Sequence, residues 1–264
     1  MLNLISDWQS AKTCNEFHNK HYNEECFIIG GGSSLKFMDL KKFKDRPIIG
    51  VNLLPFHVDF LELNVSYVTI TQPRIFVPWV LKKPIDKDFK NVAALYKKIS
   101  IQSDATFFVH FWAKFFNYGI KNWRAVPHYV WDPDKKVRSM KAYGGALYAS
   151  LSLARLMGFK NITLVGFDAF TLKNHSNLRW FEIGHKTDHT NRVDNIAIDF
   201  FELLGKEGIK ISTIGIDTGS ICPILDYIEY SKFYSCEPVY KENNKLLIGE
   251  AYSALQTYKH VKVV

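Results

Sequence analysis

The chain has 264 residues, enough at about 150 residues per domain for one large or two small domains and for a sizeable core. With 47% hydrophobic and 23% charged residues it is neither collagen, coiled coil, disulfide scaffold nor disordered chain, and no run of about 18 apolar residues marks a membrane span. The excess of 34 basic over 26 acidic side chains, a formal +8, favours polyanions: nucleotides, nucleic acid, or an anionic lipid or glycan surface.

Residues 1–25 read as an N-terminal helical extension, and they lack the basic, apolar and small-residue order of a signal peptide, so a cytoplasmic location is expected. Residues 26–264 read as a single domain without repeats or Gly/Ser linkers. Short Ile- and Val-rich runs at Cys26–Gly30, Pro47–Asn52, Ser66–Thr71, Asn161–Gly166 and Ile209–Ile214 predict buried strands. Between them, Gly144–Met157 has helical spacing, with Ala146, Ala149, Leu153 and Leu156 on one face and Gly158 to end it. A second helix is expected over Asn191–Lys206, its stripe formed by Ile196, Phe200, Leu203 and Leu204 and its end set by Gly208. Strands alternating with helices, the strands nearly continuously apolar, predict a Rossmann-like α/β fold whose mostly parallel sheet has helices on both faces. Pro73–Asp88 and Asp168–His189 are too irregular for core elements and too long for ordinary connections, which marks them as loops on the substrate side. Aromatic residues interleaved with cations over Phe107–Lys121 and Asn122–Tyr129 read as core more than as a stacking surface for single-stranded nucleic acid. The cysteines Cys14, Cys26, Cys222 and Cys236 form no CxxC pair and read as reduced thiols.

Several segments carry candidate chemistry. Gly30-Gly31-Gly32-Ser33-Ser34 follows a strand directly; glycines there let backbone N–H groups approach a phosphate, and two hydroxyls add donors. It is neither a GxGxxG fingerprint nor a P-loop, and a tight turn without ligand is the competing reading. Asn52 and Gln72 end neighbouring strands, where amides can read a base or ribose or serve as loop caps. Gly144 and Gly145 open the clearest helix, and Asp168 ends the strand after it, suited to a sugar hydroxyl or to a strand-end contact. His185, beside Gly184, has the intrinsic pKa to take a proton from a sugar hydroxyl; with Asp188 and His189 it makes a poor metal set, because the HExxH glutamate is missing.

Taken in order, Phe27–Leu35, Gly50–Asn52, Gln72-Pro73, Gly144–Tyr148, Gly158–Asp168 and Ile183–His185 resemble the bacterial sialyltransferases of glycosyltransferase family 42 over roughly Cys26 to Glu229. The glycine turn and the Gly-Phe-Asp strand end are also similar to motility-associated glycosyltransferase-like proteins and to archaeal hydroxymethylpterin pyrophosphokinase-like proteins. The family 42 resemblance implies a GT-A-like variant of the Rossmann-like fold with a lid at about residues 169–189. It implies a metal-independent, inverting transferase that moves a nonulosonate, sialic acid-like or Kdo-like, from a CMP donor to a glycan hydroxyl, with no cofactor besides that donor. The glycan acceptor could be lipid-borne, which would bring the chain to the inner face of the membrane as a peripheral protein; nucleic acid is not an implied partner. Gly30, Gly31, Gly32, Ser33, Ser34, Asn52, Gln72, Gly144, Gly145 and Asp168 would bind the donor nucleotide, and His185 falls on the general base. Phe170 stands where the family has a tyrosine that supports the leaving phosphate, so the substitute is sought in the same segment, in His175 first, then Lys173 and Arg179. The remaining alternatives are a nucleotide-dependent pyrophosphokinase-like enzyme and a non-catalytic nucleotide- or nucleic-acid-binding module.

Overall fold

The computed structural model describes residues 11–71, 87–110, 119–126, 146–168, 179–182, 198–216, 225–242 and 245–256. Its centre is one eight-stranded sheet, in chain order β1 (Glu25–Ile29), β2 (Ile48–Val51), β3 (Tyr67–Ile70), β4 (Thr106–His110), β5 (Trp123–Val126), β6 (Asn161–Val165), β7 (Lys210–Gly215) and β8 (Asp226–Glu229). The spatial order is β5-β4-β3-β2-β1-β6-β7-β8, and every neighbouring pair is parallel. This is the α/β, Rossmann-like class that the apolar runs predict.

Alternation along the strands divides the core in two. Phe27 and Ile29 of β1, with Ile48, Val68, Ile70, Phe107 and Val165, face one layer; Cys26 and Ile28, with Ile49, Val51, Phe108, Ile162 and Leu164, face the other. Helices α2 (Lys87–Gln102) and α6 (Gly249–Gln256) cover the first face through Val92, Tyr96, Ile99, Ala251 and Leu255. A helix α1 through residues 11–17 and helices α3 (Ala146–Met157) and α4 (Ile198–Lys206) cover the second through Phe17, Leu151, Met157, Phe200 and Leu204. A short helix, α5 (Tyr230–Tyr234), follows the edge strand β8.

Helices α3 and α4 end as expected, at Gly158 and Gly208, both in the left-handed region. Phe159 N–H bonds Ala154 O and Ile209 N–H bonds Leu204 O, the long closing bond of a glycine-terminated helix. Two details differ from expectation. Helix α3 is buried almost all round instead of along one stripe, with Ala149 half-buried, and on α4 Leu203 is exposed while Leu204 and Phe200 are buried. The segment before β1 is part of the core: Cys14 and Phe17 are buried, and the N–H groups of Asn19, His21 and Asn23 bond the carbonyls of Leu156, Met157 and Gly158 at the end of α3.

Candidate functional site

From β1 the chain builds β2 through β5 outward on one side, then returns with β6 to the other side of β1 and continues outward through β7 and β8. The connections leaving β1 and β6 therefore diverge, and the crevice between their carboxyl ends is the position at which parallel α/β sheets take ligands. Here Gly30–Ser34 leaves β1 and Gly166–Asp168 leaves β6. Two segments far apart in sequence thus form one site, because β1 and β6 pair along their length from Glu25↔Asn161 to Ile29↔Val165.

The bonding within that site differs from an open phosphate cradle. Gly30 and Gly32 donate their N–H groups to Val165 O and Gly166 O, each at 2.7 Å. Asp168 lies over the turn and accepts Ser33 Oγ–H at 3.0 Å, Ser34 N–H at 2.9 Å and Ser34 Oγ–H at 2.5 Å. A Cβ on Gly32 would stand 2.6 Å from the atoms of that carboxylate, so glycine is required at 32 by a protein carboxylate. Around a Cβ on Gly31, by contrast, nothing lies within 4 Å, and the Gly31 N–H has no acceptor among the described residues. Of the converging N–H donors in the sequence reading, those of Gly30, Gly32 and Ser34 are taken by the β6 end and Asp168, and among the described residues those of Gly31 and Ser33 have no acceptor. Asp168, expected to meet a sugar hydroxyl, is engaged here by Ser33 and Ser34.

On the far side of β1, Asn52 ends β2 with a left-handed backbone, φ 48°. Its N–H bonds Thr69 O, its carbonyl accepts the Tyr96 hydroxyl, and its Oδ1 accepts Thr71 N–H at 3.0 Å and Thr71 Oγ–H at 3.2 Å. These bonds fix the amide with Oδ1 toward β3 and leave its Nδ2 donors without an acceptor among the described residues. Of the two alternatives the bonds show the loop cap, and what Asn52 could still offer a ligand is a donor.

Residues 179–182 dock on the turn. Arg179 pairs antiparallel with Gly32, and Trp180 N–H bonds Gly31 O at 3.1 Å. Trp180 and Phe181 are fully buried, so this stretch of the expected lid is a core anchor, and the reading of Asp168–His189 as wholly outside the core is corrected by these two rings. Glu182, 1% exposed, accepts Arg179 N–H at 2.9 Å, and its carboxylate lies 3.7 Å from Arg179 Nη1. Lys36, also buried, donates to the Glu182 carbonyl at 3.1 Å. Desolvation pulls the Lys36 ammonium below the ordinary lysine range, opposed by the Glu182 and Asp168 carboxylates. Sequence reasoning gave no role to Lys36, Trp180 or Glu182; an apolar Trp-Phe pair inside a polar stretch was the available signal. Behind the anchor, His57 meets Trp180 edge-on at 4.8 Å between ring centroids. Burial, with the Lys241 ammonium adding to it, pushes His57 down to about 3.

Gln72, Gly144, Gly145, Lys173, His175 and His185 lie outside the described residues. Among the described residues no group of three His, Cys, Asp or Glu could hold a metal ion, and no helix is long and apolar enough to cross a membrane.

No protein-family model matches the chain, and no curated protein matches it. Among solved structures it is similar to the sialyltransferase CstII from Campylobacter jejuni in complex with a substrate analogue, cytidine-5′-monophosphate. The identity is 17% and the TM-score 0.45, over 89% of this chain and 98% of that chain.

Proposed function

We propose that the protein is a CMP-sugar-dependent glycosyltransferase that moves a nonulosonate to a glycan hydroxyl by a metal-independent, inverting displacement. The observation that carries this reading is the meeting of the Gly30–Ser34 turn and the Gly166–Asp168 strand end at the β1/β6 crevice, with Asn52 beside them. These are three of the segments whose order resembles family 42, and the fold brings them to the one place where a parallel sheet offers a nucleotide its strand ends.

In the proposed reaction His185 takes the proton of the acceptor hydroxyl as that oxygen attacks the anomeric carbon. The bond to the CMP oxygen breaks on the opposite face, and the leaving electron pair stays on the phosphate. Gly31 N–H and the Asn52 amide are among the donors that the described part of the site would offer the nucleotide. The glycine pair Gly144-Gly145 and Gln72 complete the proposed pocket, and a peripheral station at a membrane follows only for a lipid-borne acceptor.

Two measurements test the reading. CMP or CTP at 100 times its dissociation constant raises stability by about 2.7 kcal/mol, and EDTA leaves that gain in place. A gain produced only by ATP with magnesium would favour the pyrophosphokinase-like alternative. In a CMP-release assay with a nonulosonate donor, His185→Ala lowers turnover by about 100- to 10,000-fold and leaves CMP affinity nearly unchanged. A silent His185→Ala would remove the base from this mechanism.

A further inference from the structure

Arg179 stands out among the cations near the crevice. Its main chain is fixed twice, by pairing with Gly32 and by Glu182, which accepts its N–H. Its neighbours Trp180 and Phe181 are locked in the core, and its guanidinium carbon lies 5.8 Å from the Phe181 ring centroid. The side chain is nevertheless 35% exposed, and no hydrogen-bond acceptor engages its guanidinium among the described residues. Glu182 Oε1, at 3.7 Å from Nη1, is an ion-pair neighbour but too far to accept a hydrogen bond. The Lys36 ammonium acts on the charges of both Glu182 and Asp168, so Glu182 does not depend on Arg179 alone for a counter-charge. An arginine whose main chain is tied to the glycine turn thus keeps a buried Nη1 that no described acceptor satisfies, on a planar fork that remains partly exposed.

We propose that Arg179 is the phosphate-binding side chain of this crevice, its guanidinium meeting the phosphate ester of the donor and remaining with it as the leaving charge develops. This rests on the reading of the site as a nucleotide site, and it places the role the family gives to a tyrosine on a cation anchored at the glycine turn. A guanidinium–phosphate contact is charge-assisted and can be bidentate, whereas a phenol offers one neutral donor.

The test is a titration of cytidine, CMP and inorganic phosphate against the wild type, Arg179→Ala and Arg179→Gln, read by thermal shift and calorimetry. Gln preserves most of the packed stem while removing the charge, so a result remains if the alanine variant folds poorly. The wild type binds CMP more tightly than cytidine; in both variants CMP affinity falls about 10- to 100-fold while cytidine affinity is unchanged. Inorganic phosphate in the millimolar range protects the wild type and neither variant. Arg179 variants that keep the wild-type ratio of CMP to cytidine affinity overturn the assignment and leave the nucleotide reading intact. If the wild type binds neither CMP nor cytidine, the CMP reading fails, and phosphate decides Arg179 alone: protection lost in the variants upholds it, and protection absent or unchanged overturns it.

Discussion

Replacing Gly32 with alanine puts a methyl group where the Asp168 carboxylate lies, 2.6 Å from its carbon and from both of its oxygens. No rotation of a methyl relieves that contact, so the carboxylate leaves or the turn recedes. Either movement breaks the three hydrogen bonds that Asp168 accepts from Ser33 Oγ, Ser34 N and Ser34 Oγ. Hydrogen bonds to a charged group contribute about 1.5–3 kcal/mol each, which sets a ceiling of about 5–9 kcal/mol for the three. Asp168 is half-buried, so water recovers much of this, and the expected loss is about 2–4 kcal/mol. The internal control is Gly31→Ala, whose Cβ meets nothing within 4 Å and whose stability stays within about 1 kcal/mol of wild type. Urea unfolding followed by tryptophan fluorescence measures both, and the cycle is closed with Asp168→Ala, in whose background Gly32→Ala becomes markedly cheaper. Equal losses at positions 31 and 32, or no coupling between position 32 and Asp168, would refute the statement that the carboxylate dictates this glycine.

Two further perturbations probe the framework. His57 stays neutral in the fold, held down to about 3, while in the unfolded chain it takes a proton near 6.5; its contribution is therefore complete above pH 6.5 and is lost as the pH falls toward 3. Between pH 7.5 and 4.5 the wild type should lose about 2–3 kcal/mol more urea stability than His57→Gln, with Asp59, which burial raises and which titrates in the opposite sense, common to both. Parallel pH profiles for the two proteins would contradict this. Glu207 holds Arg155 through Nε at 2.5 Å and also through Nη2, and the Arg155 side chain is only 5% exposed. Glu207→Ala strands that guanidinium and should cost about 2–4 kcal/mol in thermal or urea unfolding, whereas a loss below about 1 kcal/mol would mean that water reaches Arg155 freely.

The strands nearest the middle of the sheet were legible because they are buried on both faces and therefore carry unbroken apolar runs, as in Cys26–Ile29 and Ile162–Val165. Strands β4 and β5 fall in the aromatic and cationic stretches that were read as core but not as strands. Strand β5 is an edge, with Arg124 bonding Glu16 at 2.6 and 2.7 Å, and an edge strand needs no apolar run. Strand β8, exposed or half-buried throughout, escaped for the same reason. Helix α2 went unread although Val92, Tyr96 and Ile99 recur at helical spacing, because the apolar Ala94 and Ile101 on its exposed side blur that stripe. At the site, position was readable and bonding was not. A glycine turn after a strand announces itself locally, but that Asp168 would fill it follows from the pairing of β1 with β6, which no local pattern encodes. Trp180 and Phe181 show the converse case, a short apolar pair whose burial outweighs the polar residues around it.

The central place of β1 has a consequence for synthesis on the ribosome. Its β2 neighbour follows within a short stretch of chain, but the strand that covers its other side starts 136 residues after it, the separation between Glu25 and Asn161. At translation rates of about 5–20 residues per second, that interval lasts roughly 7–27 s. Throughout it, Cys26-Phe27-Ile28-Ile29 is the open margin of a growing half-sheet, with the unpaired backbone groups and apolar side chains that recruit other strands. A segment that ends as the most protected strand of the sheet thus begins as its most adhesive one. Nascent chains halted before Asn161 will need a holdase to keep β1 dispersed, and passing Val165 hands the open margin on to β6 until β7 is made.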